Sequence, residues 1–126
     1  MYIRFAITQI DKNSHQPQGL FRAADVLINS GNLTAEERKR LQDILVWFNV
    51  NLPAPNRRDI RGRVTFWFYA SAQECIRRMW ELVHILRAHD YFIEVHKCEH
   101  LHNCIYRDKY QVASHPSPYD AAHTTQ

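Results

Sequence analysis

Several features that would assign a chain to a broad functional class are missing from these 126 residues. There is no run of about 18 apolar residues, so we expect no membrane-spanning helix. The first residues lack a basic segment, a long apolar stretch and a small-residue cleavage site, so no secretion signal is expected. The three cysteines are an odd number, and without a secretion signal we predict reduced thiols in a cytoplasmic protein.

Catalytic motifs are missing as well. The patterns Gly-x-Ser-x-Gly, His-Glu-x-x-His and Cys-x-x-Cys do not occur. Glu94, His96 and His100 could form an acid–base pair if the fold assembled them, but their spacing does not favour it. We therefore expect a protein that is not an enzyme, and keep a small histidine-dependent hydrolase or nuclease as an alternative.

The composition that is present fits one folded domain. Apolar residues make up 45% of the chain, and its 6 Phe, 6 Tyr and 3 Trp are enough for a packed core. The formal net charge of +3 is too small for a dedicated nucleic-acid binder. Residues 57–63 read Arg-Arg-Asp-Ile-Arg-Gly-Arg, so this short stretch alone carries as much net charge as the whole chain.

Periodicity predicts the order β-α-α-β-α-β-β-β. Alternation indicates a strand over 2–10, and helical spacing indicates helices from 20, 34 and 71. Thr34 with Glu37, and Ser71 with Glu74, have the spacing of capping boxes. The aromatic segment 64–69 is the strongest strand and is placed centrally, and three short strands follow between 91 and 113.

This order predicts an α/β (α+β) fold with a mixed five-stranded sheet and helices on one face. The unit 64–97 should place its two strands parallel through a right-handed crossover. The last three strands should continue the sheet as an antiparallel meander. Residues 1–113 are expected to form a single domain, and residues 114–126 a flexible C-terminal tail.

Three segments together resemble a family of short, uncharacterised bacterial proteins. They are the first strand, the helix end Val-Trp-Phe-Asn at 46–49 before Leu-Pro-Ala-Pro, and the closing Tyr-x-Asp-x-Tyr-Gln-Val pattern at 106–112. The resemblance covers residues 1 to about 113 and implies a compact bacterial protein, with no activity carried over. In that family the turn before the closing pattern is a Pro-Gly turn, whereas this chain has Cys98 to Cys104 there.

The arginine-rich stretch is the first candidate site. Guanidinium groups bind phosphate and carboxylate oxygens in pairs, and a segment leading into a central strand would hold them in place. Nearby aromatic side chains could stack on a base if they faced outward, although alternate residues of a central strand must face the helices. The predicted ligand-binding residues are Arg57, Arg58, Arg61, Arg63, Trp67 and Tyr69. The alternative is a solvated basic loop with no ligand.

The second candidate site is a zinc site made of Cys98, His100, His102 and Cys104. Zinc binds such sulfur and nitrogen ligands tetrahedrally at about 2.0–2.3 Å. Alternate residues of a regular strand lie about 6.6 Å apart, so a turn at Leu101 would have to bring the cysteines together. The spacing matches no common zinc motif, and a polar hairpin tip is the alternative. No cofactor is expected apart from this zinc.

The functional hypothesis is a small bacterial or mobile-element binding protein for an anionic ligand, acting as a sequestering or inhibitory factor. The ligand would be a nucleotide, a nucleic-acid backbone or an acidic protein surface. A homodimer or larger assembly is expected if the apolar content exceeds what a sheet covered on one face can bury. A zinc-dependent regulator is the second hypothesis, and the hydrolase or nuclease is the third.

Overall fold

The computed structural model describes residues 1–8, 19–55, 64–115 and 123–125. These residues form three helices and six strands, which we number in chain order. The helices are α1 (Leu20–Ile28), α2 (Ala35–Asn51) and α3 (Gln73–Ala88). The strands are β1 (Tyr2–Ile7), β2 (Thr65–Tyr69), β3 (Ile93–Cys98), β4 (Cys104–Arg107), β5 (Gln111–Ser114) and β6 (His123–Thr125).

The strands form one sheet in the order β4-β5-β2-β1-β3-β6. The α+β class and the central position of the aromatic strand, now β2, are confirmed. The sheet is not mixed in its hydrogen bonding, because every neighbouring pair among the described strands is antiparallel. β2 and β3 run parallel, as the crossover predicts, but β1 lies between them and pairs with both.

The predicted meander of the last three strands is only half correct. β4 and β5 pair as a hairpin around a tight turn. β3 instead pairs with β1 over six residue pairs, from Ile7 with Ile93 to Tyr2 with Cys98. β3 is therefore the long partner of β1 in the sheet. The prediction failed because neighbouring strands in sequence were assumed to be neighbours in the sheet.

The main core lies between the three helices and one face of the sheet. Paired residues of antiparallel strands share a face, so the pairs Phe5 with Val95 and Ile7 with Ile93 place four core side chains together. From the helices, the fully buried side chains include Leu41, Leu82 and Leu86. We call this side of the sheet the helix face and the other side the opposite face.

The two predicted capping boxes have different outcomes. The Thr34 hydroxyl accepts from the Glu37 N–H, and the Glu37 carboxylate accepts from the Thr34 N–H, both at 3.1 Å. The box at Ser71 does not form, because α3 begins at Gln73 and Ala72 is its N-cap residue. The pattern is one residue out of step with the helix, and Glu74 pairs with arginines of α3 instead.

The end of the chain differs from the expected tail at two points. Ser114 is the last residue of β5 and is buried. His123–Thr125 pair with residues 95–97 of β3 as the sixth strand, so this part of the predicted tail extends the sheet. The remaining tail residues lie outside the described part of the chain. None of the described helices has the length and apolar character needed to cross a bilayer.

Candidate ligand-binding cavity

The described residues on either side of the arginine-rich stretch line one cavity. Outside the described residues lie the arginines themselves, Arg57, Arg58, Arg61 and Arg63. The described residues that flank the stretch, Pro55 and Val64, both line a cavity of about 630 Å³. No arginine is more than three positions from one of these two residues.

Apolar side chains form most of the cavity wall between the helices and the helix face of the sheet. The buried part of the wall comes from all three helices and from two strands: Phe5, Leu20, Phe48, Phe68 and Met79. Exposed lining residues form the mouth of the cavity, among them Phe21 and Phe66, which are 37% and 39% exposed. Asp25 is among the described lining residues, as is Arg4, although the pairing of Arg4 with His96 places the Arg4 side chain on the opposite face.

Aromatic rings continue from the mouth of the cavity into its floor. The ring of Phe21 lies 5.0 Å from that of Phe48, which in turn lies 6.3 Å from that of Phe68. Rings at these separations make favourable tilted contacts. They link α1, α2 and β2 into a rigid apolar wall.

Asp108 fixes the turn next to this wall. Its Oδ1 accepts from the backbone N–H groups of Tyr110 and Gln111 at 2.8 and 3.0 Å. Its Oδ2 accepts from the Tyr106 hydroxyl at 2.7 Å and from the Gln111 side-chain amide at 3.0 Å. Asp is favoured in tight turns because its carboxylate accepts hydrogen bonds from nearby backbone N–H groups, as it does here.

Gln111 connects this turn to the segment that leads into the arginines. Its Nε2 also donates to the backbone carbonyl of Pro53 at 2.9 Å. The residue is 5% exposed and pairs with Phe68 across β2 and β5, so its side chain lies on the helix face. Gln111 therefore holds part of the cavity mouth against the sheet.

The predicted stacking residues lie elsewhere and are covered. Trp67 is 3% exposed, pairs with Val112 on the opposite face, and donates its indole N–H to the Thr65 hydroxyl. Tyr69 is half-buried, with its ring 5.7 Å from the ring of Tyr2. A hydrogen bond with Tyr69 raises the pKa of Arg107 above its ordinary value. Neither ring presents the open surface that a stacked base needs.

The fold separates the residues of the predicted zinc site. Cys98 ends β3 and Cys104 begins β4, with β1, β2 and β5 between these strands. Cys98 is also level with Tyr2 at one end of the sheet, whereas Cys104 pairs with Ser114 at the other end. The hairpin that would have joined the two cysteines does not exist.

The thiols of that segment have local partners instead. Cys98 donates to the carbonyl of His100 at 2.7 Å, and Cys104 to that of Leu101 at 3.8 Å. His100 and His102 are exposed. Within the described part of the chain, no three His, Cys, Asp or Glu side chains form a group that could hold a metal ion. The structure thus does not assemble the four residues proposed for zinc.

Of the three residues considered for acid–base chemistry, the structure brings two together. The Nε2 atom of His96 lies 3.1 Å from the Oε2 atom of Glu94. His96 pairs with Arg4 and Glu94 pairs with Ala6, which places both side chains on the opposite face. The sheet therefore separates this pair from the cavity, and His100 is not part of it.

Cys75 shows how strongly the helix face excludes water. The thiol is fully buried, and this burial, with a smaller contribution from the Asp108 carboxylate, raises its pKa to about 11. A thiol with this pKa stays protonated near neutral pH and is a poor nucleophile. Cys75 is therefore a small apolar core residue.

Sequence reasoning missed the cavity because its wall comes from segments far apart in the chain. A weaker signal was available at Gln111, a polar residue among the apolar residues of a short strand, three positions after the turn residue Asp108.

In comparisons with known proteins, the chain matches no family model, no curated protein and no solved structure. The resemblance to short bacterial proteins stays a prediction.

Proposed function

We propose that the chain is a small non-enzymatic binding protein for a small molecule with an apolar body and an anionic group. The cavity of about 630 Å³ is the observation that carries this proposal. Pockets for small molecules are typically about 300–1,000 Å³, mainly apolar, and contain a few fixed polar groups. The cavity has this size and this character.

The apolar body of the ligand would occupy the aromatic part of the cavity. Phe5, Phe48 and Phe68 are each less than 10% exposed and leave apolar surface toward the enclosed space. Transfer of an apolar group from water onto this surface is favourable by about 25 cal/mol for each Å² covered. This supports a ligand with a ring system or a short alkyl chain rather than a fully polar one.

The proposal that the ligand carries an anionic group rests on the sequence of the arginine-rich stretch. In the sequence, its four arginines and one aspartate lie between Pro55 and Val64, which both line the cavity. Arginine binds carboxylate, sulfonate and phosphate oxygens through paired N–H donors. A nucleic-acid backbone or an acidic protein surface could meet these arginines without using a cavity, so a small anion fits both features better.

Two fluorescent probes with one scaffold test the proposal. N-phenyl-1-naphthylamine is uncharged, and 8-anilinonaphthalene-1-sulfonate adds a sulfonate. Fluorescence titration should show saturable binding of both, with the sulfonate bound more tightly. This preference should decrease at high salt, because screening weakens the contribution of exposed charges.

Matched variants distinguish the contributions of the apolar body and of the anionic group to the affinity. Phe66→Ala removes a ring at the cavity mouth and should weaken both probes about three- to tenfold through lost apolar contact. Phe92→Ala removes an exposed ring that does not line this cavity and should leave both affinities unchanged. Replacing Arg57, Arg58, Arg61 and Arg63 by Gln should weaken the sulfonate about tenfold and the uncharged probe little.

The outcomes of these titrations distinguish a ligand cavity from non-specific binding and from a macromolecular partner. Absence of saturable binding of either probe would contradict a ligand cavity. Equal loss of both probes in Phe66→Ala and Phe92→Ala would show non-specific apolar binding. Tight binding of an oligonucleotide or an acidic protein that depends on the arginines, without probe binding, would support a macromolecular partner instead.

A further inference from the structure

The amide of Gln111 is held in one orientation at the wall of the cavity. Both of its N–H groups have acceptors, namely the Pro53 carbonyl at 2.9 Å and the Asp108 Oδ2 at 3.0 Å. Exchanging the amide nitrogen and oxygen would place an oxygen against two acceptors. The hydrogen bonds therefore fix which atom is Oε1.

The Oε1 atom of Gln111 has no donor among the described residues, whose hydrogen bonds to this side chain all involve its nitrogen. An amide oxygen accepts up to two hydrogen bonds. Across the described residues, Ser114 Oγ is the side-chain polar atom that is both fully enclosed and without a partner. Gln111 Oε1 is thus not sealed within the protein, although the residue is only 5% exposed.

The cavity is the open space beside Gln111. Gln111 lines the cavity, and its pairing with Phe68, another lining residue, places its side chain on the same face of the sheet. A buried side chain with an unused acceptor, set among aromatic rings, is the kind of fixed polar group that orients a ligand.

We propose that Gln111 Oε1 accepts a hydrogen bond from a hydroxyl or N–H group on the apolar body of the ligand. The proposal rests on the proposed function and narrows the ligand to an apolar molecule that carries a donor as well as its anionic group. A ligand without the donor would cover the amide oxygen and leave it unpaired. Sites of this kind discriminate against such analogues.

Three small probes of similar size test the donor directly. 2-Naphthol carries an O–H donor, 2-methoxynaphthalene keeps the oxygen but has no donor, and 2-ethylnaphthalene has neither. Competition against bound N-phenyl-1-naphthylamine gives their relative affinities. We expect 2-naphthol to bind about three- to tenfold more tightly than the methyl ether, the effect of one net hydrogen bond. The ether and the hydrocarbon should bind about equally.

Gln111→Met is the matching variant, because methionine is similar in volume and has no strong acceptor. It should reduce the ratio of the 2-naphthol and methyl ether affinities to about one. The variant also loses the hydrogen bonds to Pro53 and Asp108, but a loosened wall would weaken both probes together and leave their ratio unchanged.

Each result has one meaning. A ratio near one in the unmodified protein, with all three probes bound, would overturn the role of Gln111 while the cavity remains a binding site. An unchanged ratio in Gln111→Met would do the same. If the variant does not fold, the ratio in the unmodified protein decides. Failure of every probe to compete, or of N-phenyl-1-naphthylamine to bind, would contradict the proposed function itself.

Discussion

The two faces of the sheet use their polar residues in different ways. On the helix face, Asp108 and Gln111 form a connected set of hydrogen bonds, and Gln111, whose Oε1 has no donor among the described residues, lines a cavity. On the opposite face, Cys98 and Cys104 each bond to a nearby backbone carbonyl, and Ser114 Oγ is enclosed without a partner.

Potential ligand residues that are close in the sequence therefore need not form one site in the folded protein. Cys98, His100, His102 and Cys104 lie within seven positions of the sequence, but no three metal-ligating side chains of the described residues form a group that could hold a metal ion, and three strands lie between β3 and β4. Asp108, Gln111 and Pro53, which include residues 58 positions apart, are joined by direct hydrogen bonds. Changes confined to one face of the sheet should therefore have different effects from changes confined to the other.

The largest effect is expected from Asp108→Ala on the helix face. The change leaves four donors without their acceptor, including the buried Gln111 amide. We expect the free energy of unfolding to fall by about 2–4 kcal/mol, measured by urea denaturation. Asp43→Ala, on the exposed side of α2, is the control and should change it by less than about 0.5 kcal/mol. A loss below about 1 kcal/mol in Asp108→Ala would show that the hydrogen-bonded set is not stabilising.

The second largest difference between the two faces is expected in the rates at which their thiols react. Cys75 is fully buried, with its pKa raised to about 11, while Cys98 and Cys104 are half-buried. At pH 8 about one Cys75 thiol in a thousand is ionised, so iodoacetamide should modify Cys98 and Cys104 at least about a hundredfold faster. Mass spectrometry of digested protein gives the rates, and labelling in urea, where all three should react alike, is the control. Equal rates in the folded protein would mean that the helix face opens readily.

Ser114→Ala tests the opposite face with a smaller effect. The hydroxyl is enclosed without a partner among the described residues, so its removal relieves a desolvation cost. Stability should stay constant or rise by up to about 1 kcal/mol. Ser30→Ala is the control, because Ser30 donates to the Leu27 carbonyl at 2.6 Å and accepts from the Asn32 N–H. That change should cost about 0.5–1.5 kcal/mol. A clear loss of stability in Ser114→Ala would reveal a partner for the hydroxyl.

The smallest effect, no change in the melting temperature, is expected when zinc is added or removed. Neither zinc nor a chelator should shift the melting temperature, because the fold does not assemble Cys98, His100, His102 and Cys104 into one site. The variant with both cysteines changed to Ser and both histidines to Ala should respond to zinc as the unmodified protein does. A zinc-dependent rise that this variant abolishes would show that the two ends of the segment approach each other in solution.

Local and global patterns were predictable from the sequence to different degrees. The capping box at Thr34 and the central aromatic strand were predicted correctly because each depends on nearby residues. The box at Ser71 failed by one residue, since the start of α3 depends on how the preceding turn packs.

Strand order and the cavity could not be obtained in this way. The long pairing of β1 with β3 is a choice among several apolar strands, and no local signal favours it over a β3–β4 hairpin. The cavity wall draws on all three helices and on residues from Phe5 to Gln111, so its shape depends on the packed fold. Gln111 gains its role only from the positions of Pro53 and Asp108.

Chemical-shift mapping of 2-naphthol on ¹⁵N-labelled protein is the most direct test of the central claim that the ligand site is on the helix face. We predict saturable shifts in the backbone amides of Leu20 and Phe68 and in the side-chain amide of Gln111, which line the cavity. The amides of His100 and His102 should not move. Shifts confined to residues 98–104, with none at the cavity, would contradict the account.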